Sequence, residues 1–231
     1  MLALAAAALA VVVYAPSARG FFSPDDLVYL ERVQHLVPPQ PLPVWRFLSG
    51  PAYFALGFRV FGTDPHGWLL TNVALHALNT ILLYVGVRRW GGGPLAASVA
   101  AALFGASRLW LTAVQQAVTV SELTAMTFGI TAMLAATAAS RSARIAAVPL
   151  FAVALLCKEN VLLLPLLLIW PGFDSAPWRE RAKRAAGLLA PSALLVFYLL
   201  AARAGTRTFG GDAYAIGIGP HLFHNLMTFA A

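Results

Sequence analysis

The sequence predicts an all-α fold, a polytopic transmembrane bundle of about seven helical segments with a long first outer loop containing interfacial helices. Three observations carry this. Apolar residues make up 60% of the 231 residues and charged residues only 11%, whereas a soluble domain carries about a quarter charged. The apolar residues come in blocks long enough to cross a bilayer. The basic residues behind the formal net charge of +7 sit in short loops between those blocks, which is how topology is encoded and not how nucleic acid is bound. The one cysteine, Cys157, allows no internal disulfide and reads as a small membrane-core residue.

Segment one is Leu2 to Tyr14, a first transmembrane helix in preference to a cleaved signal peptide, because no charged n-region precedes it. The first outer loop covers 15–65. It holds Asp25 and Asp26, a Pro38–Pro43 run, and then Val44 to Phe61, where aromatics alternate with Arg46 and Arg59. That last stretch fits an amphipathic helix in the membrane interface, broken near Gly50–Pro51. Segment two, Gly67 to Val87, ends in Arg88–Arg89 and carries Asn72, His76 and Asn79 on one face at i, i+4 and i+7. Segment three, Pro94 to Leu111, has Ala97, Ala101 and Gly105 as a small-residue stripe suited to close packing. Segment four, Val118 to Ala139, places Thr124, Thr127 and Thr131 where hydroxyls bond back to their own helix. Segment seven is Ala185 to Ala202, with a kink expected at Pro191.

The interval Ile145 to Trp170 decides the topology. As a single helix it would run roughly 39 Å, too long for a hydrocarbon core of about 30 Å. Arg141 and Arg144 precede it, and Arg179, Arg181, Lys183 and Arg184 follow. The positive-inside rule puts both flanks in the cytoplasm. The interval therefore divides into segment five, Ile145 to Cys157, and segment six, Val161 to Trp170, with Lys158–Glu159 at a turn inside protein below the outer surface. In this topology Asp25, Asp26, Glu31, Asp64, Glu122, Glu159 and Asp212 fall outside, and only Asp174 and Glu180 inside.

The chemistry-bearing residues thus gather on the extracytoplasmic side. Asp25 and Asp26 are the candidate catalytic residues: neighbouring carboxylates repel, one proton is held more tightly, and the pair suits a general base. Ser23–Pro24–Asp25 equally reads as a helix start with acids in its first turn. Lys158, Glu159 and Glu122 are candidate substrate-binding residues, with Lys158 able to pair with a carboxylate or hold a phosphate. Asn72, His76 and Asn79 form either a pocket wall or interhelical hydrogen bonds. Arg203, Arg207 and His221 read as lipid-headgroup contacts. Two carboxylates can bind Mg²⁺ or Mn²⁺, but two ligands alone do not make a site. No Gly-rich phosphate loop, HExxH motif or Gly-x-Ser-x-Gly elbow occurs. An activated substrate would have to arrive from the membrane. A transporter would require inverted repeats, which are absent, and a non-catalytic or degenerate membrane subunit is the other alternative.

The order F-x-x-D-D, then TNVALHALNTILLYVGVRRWGG, AAALFGAS, TAVQQAVTVSEL and ALLCKENVLLLPLLL resembles the multi-spanning GT-C glycosyltransferases. The similarity is greatest to the polyprenyl- or dolichyl-phosphate-mannose protein mannosyltransferase and TMTC-like branch. It covers nearly the whole chain, as one membrane-embedded domain over 1–231. The resemblance implies protein glycosylation with a polyprenyl-phosphate sugar donor, a protein or glycan acceptor, and membrane lipids as surroundings. It implies an Asp acting as base for an acceptor hydroxyl, with inversion at the sugar; Asp25 or Asp26 takes that role, and Lys158 and Glu159 lie near the donor phosphate or the Asp. The chain departs from the family pattern at Ser107–Arg108, Thr112 and Val120. It also stops at Ala231, before the further helices such relatives carry, so a C-terminal continuation is expected.

Overall fold

The computed structural model describes residues 1–35, 46–170, 173 and 175–205, the last four as backbone only. The Pro38–Pro43 run, Val44, Asp174, Arg207, Asp212 and His221 lie outside the described residues, as does the Arg203 side chain. Every regular element among the described residues is helical. The α-helices are α1 (Leu2–Tyr14), α2 (Pro24–Gln34), α3 (Tyr53–Phe61), α4 (Pro65–Arg89), α5 (Pro94–Ala106), α6 (Leu111–Gln115), α7 (Val120–Ala136), α8 (Arg141–Cys157) and α9 (Trp178–Gly205). Met1–Ser192 form one compact unit and Ala193–Ala231 a second; the site described below lies wholly in the first.

Four stretches are long and apolar enough to cross a membrane: Leu2–Arg19, Pro65–Arg89, Ala117–Ala136 and Trp178–Ala201. Pro94–Ala106 with Arg108–Gln115 makes a fifth if their 44° bend is taken as one broken span. The described residues therefore carry four or five candidate spans where the sequence suggests about seven. The difference lies in segments five and six. At 17 residues, α8 is about 26 Å long, under the roughly 30 Å of a hydrocarbon core. It stops at Cys157 because Lys158 turns extended (φ −161°, ψ 139°). The chain then continues in 3₁₀ turns, Glu159–Val161 and Leu164–Ile169. These turn back along α7, where Leu164 packs on Gly129 so closely that a Cβ there would meet it at 3.0 Å.

Helix starts follow the sequence. Ser23 caps α2 with Pro24 in its first turn, and Asp64 caps α4, accepting from the His66 N–H at 3.0 Å with Pro65 following. Gly50–Pro51 does not break the outer-loop helix. The missing proline N–H and the ring clash are absorbed in a π-turn over Leu48–Ala52, in which Ala52 N–H reaches back to Phe47 O at 3.0 Å, and α3 follows directly.

The central strut is α4, which packs against α1, α5 and α7. Its polar face points inward, since a polar group facing lipid would lack a partner. Asn79 Nδ2 donates to Leu123 O at 2.9 Å, and Thr127 donates to Asn79 Oδ1 at 2.8 Å. At the far end Arg89 reaches Thr137 O at 3.5 Å. So α4 runs parallel to α7 in register along its length. Ala97, Ala101 and Gly105 are all buried, and a Cβ on Gly105 would meet Ala10 Cβ at 3.1 Å and Thr80 Cγ2 at 3.2 Å, the close approach that small residues permit. Thr124, Thr127 and Thr131 each donate to the carbonyl four residues earlier, at 2.7, 2.8 and 2.7 Å.

Candidate functional site

One end of the bundle gathers the starts of α2, α4 and α7 and the end of α8. A cleft of about 170 Å³ opens there, lined by Asp25, Tyr29, Arg46, Ser49, Gly50, Gln116, Val118, Thr119, Ser121 and Lys158. That volume is below the about 300–1,000 Å³ of drug-sized sites. Asp25 and Lys158, far apart in sequence, face the same space. Opposite them in the bundle, the other end holds Arg88, Arg89, Arg144 and Arg181, each donating to a nearby carbonyl.

The two aspartates separate. Asp26 is fully buried and both its oxygens are taken. Oδ2 accepts from Ser23 N–H at 2.8 Å, and Ser23 Oγ accepts from Asp26 N–H at 3.3 Å, which completes a capping box. Oδ1 accepts from Val118 N–H at 2.6 Å, tying α2 to the cleft wall before α7. Beside it the buried Tyr53 hydroxyl is pushed up to about 12, first by burial; Thr71 draws it back and the Asp26 carboxylate adds to the rise. Asp25, one position earlier on α2, is exposed. The alternation follows from helix geometry, since neighbours point about 100° apart. One carboxylate builds the site and the other stands in it.

Lys158 sits where the α8 chain turns extended. Its Nζ lies 3.7 Å from Glu122 Oε1, too far for a good hydrogen bond. The attraction holds the ammonium by charge and leaves its donors available. Glu159 turns the other way, to Arg46: Nη2 donates to Oε1 at 2.6 Å and Nε to Oε2 at 3.3 Å. Burial, the largest influence, raises the Glu159 carboxyl, but the Arg46 hydrogen bond, a hydrogen bond from its own backbone and the Arg46 and Lys158 charges together outweigh it and hold it below the usual carboxylate range. Arg46 makes this fork from a left-handed backbone at φ 60°, a conformation costing a non-glycine residue roughly 1–2 kcal/mol. Ser49 Oγ donates to Cys157 O at 2.7 Å, a second tie between the same two segments. Neither Arg46 nor Ser49 shows itself in the sequence, because each meets its partner more than a hundred residues away.

Asn72, His76 and Asn79 are fully buried and lie behind the cleft, not in its lining. Asn72 Nδ2 donates to Gln116 O at 2.5 Å and Ala113 O at 3.3 Å. His76 Nε2 donates to Gly105 O at 3.0 Å, among the rings of Tyr14, Phe104 and Trp110. All three make the interhelical hydrogen bonds that one of the two sequence readings describes, while Asn72 Oδ1 and His76 Nδ1 are buried with no hydrogen-bond partner among the described residues.

Among the described residues no group of three or more His, Cys, Asp or Glu is placed to hold a metal ion. Asp25 offers one carboxylate beside Arg46 and Lys158, and Asp26 is turned to backbone N–H groups. Comparison of the chain with protein-family models, curated proteins and solved structures gives no match in any of the three.

Proposed function

We propose that this chain is a membrane glycosyltransferase of the GT-C type, moving a sugar from a polyprenyl-phosphate donor to an acceptor hydroxyl. The observation that carries the reading is the cleft itself: an exposed carboxylate, Asp25, and a loosely tethered ammonium, Lys158, around one small space at the end of an apolar bundle. Asp25 takes the proton of the acceptor hydroxyl as that oxygen bonds to the anomeric carbon. The bond from that carbon to the phosphate oxygen breaks, the electron pair leaves with the polyprenyl phosphate, and Lys158 stabilises the departing charge. Attack and departure on opposite faces invert the anomeric centre. Asp26 takes no proton in this scheme, because both its oxygens are engaged.

The proposed sidedness rests on charge. The end bearing Arg88, Arg89, Arg141, Arg144 and Arg181 is assigned to the cytoplasm by the positive-inside rule, which puts the cleft on the extracytoplasmic side. The test is incubation of the membrane-embedded protein with radiolabelled polyprenyl-phosphate hexoses, mannose first, and a mixed protein and glycan acceptor pool. Label leaving the lipid fraction for an acceptor supports the proposal. Label that stays on the lipid for every hexose, with folded protein, refutes it.

A further inference from the structure

The cleft holds more polar residues than it has groups to spare. Ser49 Oγ donates to Cys157 O, Thr119 Oγ1 to Gln116 O at 2.6 Å and Ala113 O at 2.9 Å, and Ser121 Oγ to Val118 O at 3.2 Å. Arg46 is hydrogen-bonded to Glu159, while Lys158 is drawn to Glu122 by charge alone and keeps its donors for an anion. The Gln116 amide, like the Tyr29 hydroxyl, lines the cleft and makes no side-chain hydrogen bond among the described residues, and it alone of the two offers donors and an acceptor in one plane. Its backbone, by contrast, is held from two sides. The Gln116 carbonyl accepts from the buried Asn72 amide at 2.5 Å and from Thr119 Oγ1 at 2.6 Å. The chain is extended there (φ −120°, ψ 133°), between α6 and the turn Ala117–Thr119. Two residues on, Val118 N–H is held by Asp26.

We infer that Gln116 is the residue of this cleft that reads sugar hydroxyls, with Asn72 and Asp26 as the positioning residues that fix it relative to Asp25. A planar amide offers two donors and an acceptor side by side, the complement of neighbouring hydroxyls on a pyranose. A charged side chain offers only one of the two functions. The Asp26–Val118 bond makes α2 and the Gln116 segment one frame, so a ring gripped by Gln116 stands at a set distance from Asp25, which is what orientation requires. A site built to hydrogen-bond a hydroxyl discriminates strongly against a ligand that lacks it. The inference rests on the proposed glycosyltransferase reading and adds the group that recognises the sugar.

The test is equilibrium binding, with no turnover, to the full chain in nanodiscs. Two probes are compared: a short-chain polyprenyl-phosphate hexose and the same polyprenyl phosphate without its sugar. Wild type is expected to bind the hexose more tightly than the bare phosphate. Gln116→Leu is expected to lose at least about tenfold in hexose affinity while binding the bare phosphate as wild type does. The near-isosteric Gln116→Met is read in place of Gln116→Leu if the latter does not insert. Removing single hydroxyls from the hexose should weaken wild type at one or two ring positions and leave Gln116→Leu indifferent to them. If wild type prefers the hexose and the variant prefers it equally, the role of Gln116 is overturned and the transferase reading stands. If wild type binds neither probe, both are overturned.

Discussion

Replacing Asp26 with alanine should cost the fold far more than replacing Asp25 with asparagine, although the two residues are adjacent and alike. Asp26→Ala removes the reciprocal half of the α2 capping box, worth about 0.5–2 kcal/mol. It also leaves the Val118 N–H, held at 2.6 Å, without its partner next to the fully buried Ala117. An orphaned buried donor costs about 1–3 kcal/mol. Together these come to about 1.5–5 kcal/mol, which for a unit of this size lowers Tm by about 3–20 °C. Asp25 is exposed, so Asp25→Asn stays within about 0.5 kcal/mol. Intrinsic fluorescence of the detergent-solubilised protein during heating, with its 6 tryptophans, reads both. An Asp26→Ala protein melting with wild type, or an Asp25→Asn protein melting as low as Asp26→Ala, would refute the division of labour between the two aspartates.

Three further outcomes follow from the packing and the ion pairs. A Cβ on Gly57 would lie 2.5 Å from the ring of the fully buried Trp68, so Gly57→Ala should destabilise by about 1–3 kcal/mol, read as a lower Tm, and no change would contradict the packing. Asn79→Ala removes the bonds to Leu123 O and Thr127 Oγ1; those two partners keep the bond between them, so the loss should cost about 1–3 kcal/mol, whereas Thr127→Ala, which leaves the Asn79 amide bond to Leu123 intact, should cost less. The Glu159 carboxyl is held low by Arg46, so its contribution is present above the unfolded carboxyl value of about 4.3 and is lost as pH falls through the lowered folded value. The Tm gap between wild type and Glu159→Gln should therefore be open at neutral pH and close on acidification below about pH 4; a gap that widens in acid would reverse the sign of the pair.

What the sequence makes legible is local. Pro24, Pro65 and Pro94 mark three helix starts, the Ala97–Gly105 stripe marks a close contact, and Lys158–Glu159 marks the end of α8. Each depends on residues within a few turns of one another. The Ser-Pro-Asp-Asp stretch even contains the capping box, though not which aspartate it occupies. The number of spans is less legible, because composition finds an apolar block without saying whether it is one helix, a bent pair or a run of 3₁₀ turns. The cleft is hardly legible at all. Asp26 finds Val118 92 positions on, and Arg46 finds Glu159 113 positions on. Such pairings leave no periodicity behind. Gln116 stands in plain view in TAVQQAV, but it is the Asn72 bond to its carbonyl, 44 positions away in sequence, that ties it to α4.

The most direct measurement is the rate of sugar transfer from a polyprenyl-phosphate hexose by folded wild type, Asp25→Asn and Lys158→Met, side by side. Wild type is expected to transfer; Asp25→Asn should fall by about a hundredfold or more at unchanged Tm, with Lys158→Met also slow. Undiminished transfer by Asp25→Asn would contradict the assignment of the base, and an inert wild type would contradict the enzyme itself.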